Sequence, residues 1–170
     1  DGCDVVAIPH NMNLAEGGGF DVESASELSL RQRARFERVA EIYQHKGSSE
    51  CLPAFGADDT ADCGFELMLP SRFKPPFGQT VDRATWETLR PAFYRTLLAR
   101  GLQMQQRRRF NPLQLGAIES TDTHNGTPGA VEEGAWRGHF GGDVNAAARF
   151  SLFPDASPGG LVAVWAEDNT

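Results

Sequence analysis

The chain has little cysteine, little basic charge and no long apolar run. Of its 170 residues only three are cysteines, Cys3, Cys51 and Cys63, and none forms a C-x-x-C pair. That count argues against a structural zinc knuckle and against a disulfide framework. Cys51 and Cys63 flank a Pro/Asp/Ala-rich loop and can bridge in an oxidising compartment, although two free thiols under a loop is the reading favoured by so small a number. Lys and Arg number 16 against 23 Asp and Glu, a net charge of −7. Non-specific binding to nucleic acid or to an anionic membrane needs basic surface, so neither is an expected partner. No apolar run approaches the ~20 residues of a membrane-spanning helix. Gly17-Gly18-Gly19 is not followed by Gly-Lys-Ser/Thr and so is no P-loop; it reads as a mobile lid. There is no G-x-S-x-G elbow and no cysteine in a nucleophile motif, which leaves serine or cysteine hydrolase chemistry without support. No H-x-H occurs either.

What is present begins with 18 Gly and 10 Pro, a share that favours a loop-rich fold over a helical bundle. Four short apolar runs stand out: Val5-Val6-Ala7-Ile8, Val39-Ala40-Glu41-Ile42-Tyr43, Leu115-Gly116-Ala117-Ile118 and Leu161-Val162-Ala163-Val164-Trp165. Each is of strand length, and most are continuously apolar, the pattern of strands buried on both faces. Between them, Ser24 to Arg35 carries early Ser and Glu and late Arg, as a helix dipole prefers. In Asp82 to Gln106, Asp82 can cap, and Trp86, Leu89, Phe93 and Leu97 recur at helical spacing. Pro91 starts a second helix or kinks a single one there. Strand, helix and strand in alternation predict an α/β fold. No linker divides two composition classes, so residues 1–170 read as a single domain or part of one.

The chemistry collects just after the apolar runs. The first leads into His10-Asn11, the second into Gln44-His45, the third into Asp122-Thr123-His124, and the fourth into Glu167-Asp168. In parallel α/β folds, ligand and metal sites lie at the carboxyl ends of strands. In an extended segment, residues i and i+2 point to the same side, so the Asp122 carboxylate and the His124 imidazole can address one ion. That pairing suits zinc, manganese or iron. His10 is either a second metal ligand or a strand-end histidine bonded to backbone. Glu50, in a Gly/Ser loop, is solvated or has a substrate or supporting role. Glu41, inside an apolar strand, needs a partner if it faces inward. The Arg107-Arg108-Arg109-Phe110 run reads as a solvated loop after a helix, and His139, in a Gly-rich loop, as exposed and inert.

Val6-Ala7-Ile8-Pro9-His10-Asn11, Lys46-Gly47-Ser48-Ser49-Glu50-Cys51, Ser120-Thr121-Asp122-Thr123-His124-Asn125 and Ser157-Pro158-Gly159-Gly160-Leu161 onward resemble, in the same order, the bacterial domain-of-unknown-function family 3604. That family resembles the PHP (polymerase and histidinol phosphatase) superfamily of metal-dependent hydrolases. The resemblance implies a portion of a distorted, TIM-like barrel of parallel strands ringed by helices, with two or three divalent metal ions at the strand ends. It matches His10 to a strand-end histidine of the PHP pattern, and Asp122 with His124 to its terminal D-x-H. Pro9 precedes His10 here, where the pattern has Pro after the histidine. An early H-x-H belongs to the pattern too, and its absence implies that residues 1–170 are the middle-to-late part of a longer barrel, lacking upstream strands.

The expected activity is hydrolysis of a phosphoester or related ester of a small-molecule substrate. His10, Asp122 and His124 would hold metal, and Glu50 or His45 would orient substrate or carry a proton. The rival expectation is a non-catalytic domain that binds a sugar or anion through Trp136, Trp165, Arg107 and the Gly loops. The compartment is periplasmic or cytoplasmic in a bacterium, and the sequence leaves oligomeric state open.

Overall fold

A computed structural model of the chain describes residues 5–15, 20–56, 63–69, 81–129, 132, 136, 138–139 and 158–168. The expected Gly17-Gly18-Gly19 lid and the Pro/Phe-rich stretch 71–79 lie outside these residues. Among the described residues the architecture is mixed α/β, with three α-helices and one three-stranded sheet.

Helix α1 spans Glu27–Phe36. Ser26 starts it by accepting a hydrogen bond from the Ser29 amide, Glu27 lies in the first turn, and Arg33 and Arg35 lie in the last. Its apolar face is thin, with Leu30 as its one buried residue. Strand β1 follows at Val39–Gln44, and β2 is the two-residue Gly47–Ser48. A two-residue turn, His45-Lys46, joins them, so β2 folds back on β1 and Ser49 N donates to Ile42 O at 2.7 Å.

Asp82 caps α2, Arg83–Leu89, by accepting from the Thr85 amide. The helix cannot run on. Pro91 lacks an amide proton, and the chain passes through a 3₁₀ turn, Arg90–Ala92, to an extended Phe93 before α3, Tyr94–Arg108. Leu97, Gly101 and Met104 form the buried face of α3. A Cβ on Gly101 would collide with the Asn111 side chain and lie 3.0 Å from Leu113 Cβ, so only glycine allows that approach. Arg107 and Arg108 occupy the last turn, where they suit the helix dipole, and Arg109 closes it in the left-handed region. Strand β3 is Gly116–Glu119. The sheet order is β2-β1-β3. Gly116 N donates to Arg38 O and Ser120 N to Tyr43 O, both positions advancing together as in parallel pairing.

Two of the four expected strands are not strands. Residues 5–8 make only single backbone bonds, Ala7 N to Phe36 O and, just beyond, Glu41 N to Pro9 O, instead of a ladder. Residues 161–165 form no strand either. Apolar runs of this length mark a segment suited to cover, and only a pairing partner makes it a strand.

The chain divides into two compact units, Asp1–Ile42 with Ser48–Ala117, and Tyr43–Gly47 with Ile118–Thr170. The first holds the main core: Met12, Phe20, Val22, Leu30, Ala40, Leu97, Met104, Leu113 and Leu115. It also contains a Cys51–Cys63 disulfide, so the two thiols are not free as their small number suggested. In the second unit the buried side chains include Gln44, Thr121, Trp136 and His139.

Candidate metal centre

The second unit gathers three of the chain's four histidines around one aspartate. His45 enters on the tight turn after β1. Asp122 and His124 enter on the loop after β3, and His139 on a loop that also carries the buried Trp136. His45 Nε2 lies 3.2 Å from Asp122 Oδ2, and His124 Nε2 lies 3.6 Å from Asp122 Oδ1. One carboxylate thus faces two imidazoles, one through each oxygen. The His139 ring lies against both outer rings, its centroid 3.9 Å from that of His45 and 4.0 Å from that of His124.

Backbone geometry holds the loops in place. The His124 amide donates to the His139 carbonyl at 2.9 Å, and Asn125 Nδ2 donates to the Gly138 carbonyl at 3.2 Å. Asn125 Oδ1 also accepts from the Thr127 amide, so the Asn-Gly-Thr sequence serves as a turn that clips one loop to the other. Asp122 adopts a left-handed backbone, φ 49°, which aspartate tolerates better than most residues. Beneath the cluster, Gly160 N donates to Ser120 O. Gly159 has φ +80°, and a Cβ there would strike the Ser120 carbonyl and lie 2.8 Å from Thr121 Cα.

The cluster favours neutral imidazoles. Burial lowers the His45 pKa from 6.5 to about 4, His139 beside it adds to the shift, and Asp122 opposes it. Burial lowers His139 as well, with His124 adding and Asp122 opposing. Neutral imidazoles keep the lone pairs that metal coordination requires. Among the described residues, no group of three or more His, Cys, Asp or Glu side chains is placed to hold a metal ion. By residue type alone, imidazole and carboxylate are donors that zinc, manganese or iron accept.

The other sequence-predicted residues lie in the first unit. His10 is exposed, with Nδ1 3.2 Å from the Ile8 carbonyl. It lines a pocket of about 380 Å³ with Ile8, Met12, Phe20, Arg33 and Glu37. Burial raises the Glu37 pKa, although Arg33 bonds its carboxylate at 2.7 Å. Glu50 forms an ion pair with Arg95 at 2.7 Å, while its carbonyl accepts from the Arg95 amide at the start of α3. Glu41 is buried.

Sequence reasoning missed His139, which is 5% exposed and not the exposed, inert side chain expected of a Gly-rich loop. It also missed the buried Asn13–Ser49 pair, in which the Ser49 hydroxyl donates to Asn13 Oδ1 at 3.0 Å. Of the residues proposed for sugar or anion binding, Trp136 is buried and Trp165 is fully exposed.

A family model described as "Protein of unknown function (DUF3604)" matches residues 1–170. The chain belongs to this family. Neither the curated proteins nor the solved structures include a match to this DUF3604 chain.

Proposed function

We propose that this DUF3604 chain is part of a metal-dependent hydrolase of PHP-like type, cleaving a phosphoester or related ester of a small molecule, and that its α/β elements belong to a distorted PHP-like barrel. The observation that carries this reading is the His45–Asp122–His124 arrangement, one carboxylate faced by two imidazoles on loops that leave β1 and β3. Asp122 and His124 would hold a divalent ion; His10 joins them through the family resemblance alone. When bound, such an ion supplies Lewis acidity and a hydrolytic nucleophile drawn from water near neutral pH. Asp122 orients the His45 ring through Oδ2. His45, held neutral by burial, has the protonation state of a proton acceptor at pH 7. Glu50, already engaged by Arg95, is placed to steady the start of α3. The acidic overall charge supports a site that binds cations and a small-molecule substrate in preference to nucleic acid.

The test is elemental analysis of the purified full chain after incubation with zinc, manganese or iron, beside an Asp122→Ala/His124→Ala double variant. Metal retained by the wild type and lost by the variant is the expected result. Equal metal in both would remove the proposal. Hydrolysis of aryl phosphoester probes should stop with chelator and return with metal. Ligand binding that survives chelation, without hydrolysis, would favour a non-catalytic binding domain.

A further inference from the structure

The first unit carries a pocket whose apolar walls and ion pair the proposed chemistry leaves unused. Its volume is about 380 Å³, within the ~300–1,000 Å³ of small-molecule sites. Ile8, Pro9, Met12 and Phe20 supply apolar walls, and Arg33 and Glu37, one turn apart at the end of α1, supply a pair of charges. Both charged side chains are only 20% exposed. Glu37 is also the C-cap of α1, its amide bonded to the Arg33 carbonyl. The C-terminal end of a helix carries partial negative charge and favours cations. A carboxylate there puts two negative features in one place, and burial adds to the cost of keeping it ionised. Arg33 answers part of this. Its Nη1 donates to Glu37 Oε2 at 2.7 Å, while its guanidinium carbon lies 4.9 Å from the centre of the Phe20 ring. No other described side chain donates to the Glu37 carboxylate. Burial keeps the Glu37 pKa raised in spite of the Arg33 bond.

We infer that this pocket binds a small amphipathic amine in its protonated form, with the ammonium group on Glu37 and the hydrocarbon body against Ile8, Met12 and Phe20. Arg33 and Glu37 nearly cancel as a pair, so the second carboxylate oxygen, Oε1, and the helix end decide the sign of the ligand. An ammonium group has three donors and no acceptor, which suits both. An anion of the same size would meet the carboxylate and the negative helix end. An uncharged ligand would gain the apolar contact and relieve neither. The inference requires no metal and no bond to His10, and it goes beyond the metal-dependent reading above.

The chain has three methionines, Met12, Met68 and Met104, so NMR of labelled methionine methyl groups, each assigned through its own backbone connectivity, places one reporter in the pocket. The wild-type full chain, treated with chelator at neutral pH, is titrated with isoamylammonium. Parallel titrations use isoamyl alcohol and isocaproate, which keep the hydrocarbon body and change the charge. The Met12 methyl signal should move saturably with isoamylammonium. Affinity should be at least about tenfold weaker for the alcohol and for isocaproate, the scale of one charge-assisted hydrogen bond. Glu37→Gln keeps the size and an acceptor oxygen, and it should bring the amine level with the alcohol. If the alcohol or isocaproate binds as tightly as the amine, or if the amine leaves Met12 unmoved, the inference is overturned. A folded Glu37→Gln chain that binds the amine like the wild type overturns it as well. Because the ligand comparison is read on the wild type, a Glu37→Gln chain that fails to fold leaves the answer intact. The chelator keeps every outcome separate from the metal-dependent reading.

Discussion

Asp122 bends the chain into the left-handed region at the point where its carboxylate meets two histidines. The i, i+2 spacing after an apolar run points to Asp122 and His124 on the expectation of an extended segment, but the left-handed φ of Asp122 turns the chain there instead. That spacing could not find His139, whose significance depends on a loop arriving from elsewhere in the chain. The depressed His45 pKa has a measurable consequence. The unfolded imidazole titrates near 6.5 and the folded one near 4. Between those values the unfolded state takes up a proton that the folded state refuses, so stability is full above pH 6.5, falls as pH drops toward 4, and levels below that. In chelator-treated protein, urea unfolding at pH 7 and pH 5 should therefore show a smaller loss for His45→Gln than for the wild type. The raised pKa of Glu37 acts in the opposite direction but is common to both proteins, so it cancels in the comparison. Equal losses would refute the assignment. Gly159 supplies a second residue-scale prediction: Gly159→Ala has neither the space nor the backbone freedom it needs against Ser120 and Thr121. It should lower zinc affinity more than Gly56→Ala, where the φ is also positive but the surroundings are open. Competition titration of the two variants makes that comparison.

Among the elements, the helix starts were legible and the sheet was only half so. Asp82 caps α2 as its sequence position suggests, and Pro91 divides the following helical pattern for the reason proline always does. β1 and β3 appear where β-branched and small apolar residues cluster, but the runs at 5–8 and 161–165 stay outside the sheet, since composition specifies no pairing partner. Helix α1 buries only Leu30 and so leans on its ends. Ser26→Ala should cost about 1 kcal/mol in chemical denaturation by removing the bond to the Ser29 amide; a change near zero would show that the cap is dispensable. The Cys51–Cys63 bridge spans 12 residues. A cross-link closing a loop of this size stabilises by about 3 kcal/mol through the entropy of the unfolded chain. Reduction should lower the urea midpoint accordingly, and a Cys51→Ala/Cys63→Ala variant should match the reduced protein and no longer respond to reductant.

For the whole molecule, apolar side chains remain at the surface. Val5, Val6 and Ile8 in the first unit, and Leu161, Val162, Val164 and Trp165 in the second, are all exposed, Trp165 completely. Exposed apolar side chains clustered in sequence, as in each of these two runs, favour association. Sedimentation velocity of the 170-residue chain should show mass rising with concentration, and Val164→Ser/Trp165→Ser should reduce it. A monomer at all concentrations would mean that these strips are inert. Among the described residues, no helix is long and apolar enough to cross a membrane. The His45 cluster also constrains the order of folding. His45 lies early in the chain, while Asp122, His124 and His139 come late, and a turn next to β1 must meet loops beyond β3 before the four side chains share a neighbourhood. Closing so long a segment belongs to the slow, topology-limited part of folding. If the proposed site holds a metal, we expect that metal to meet it only once this long-range closure has been made. Zinc in the refolding buffer would leave the refolding rate unchanged and slow unfolding instead, acting as a latch on the finished fold and not as its nucleus.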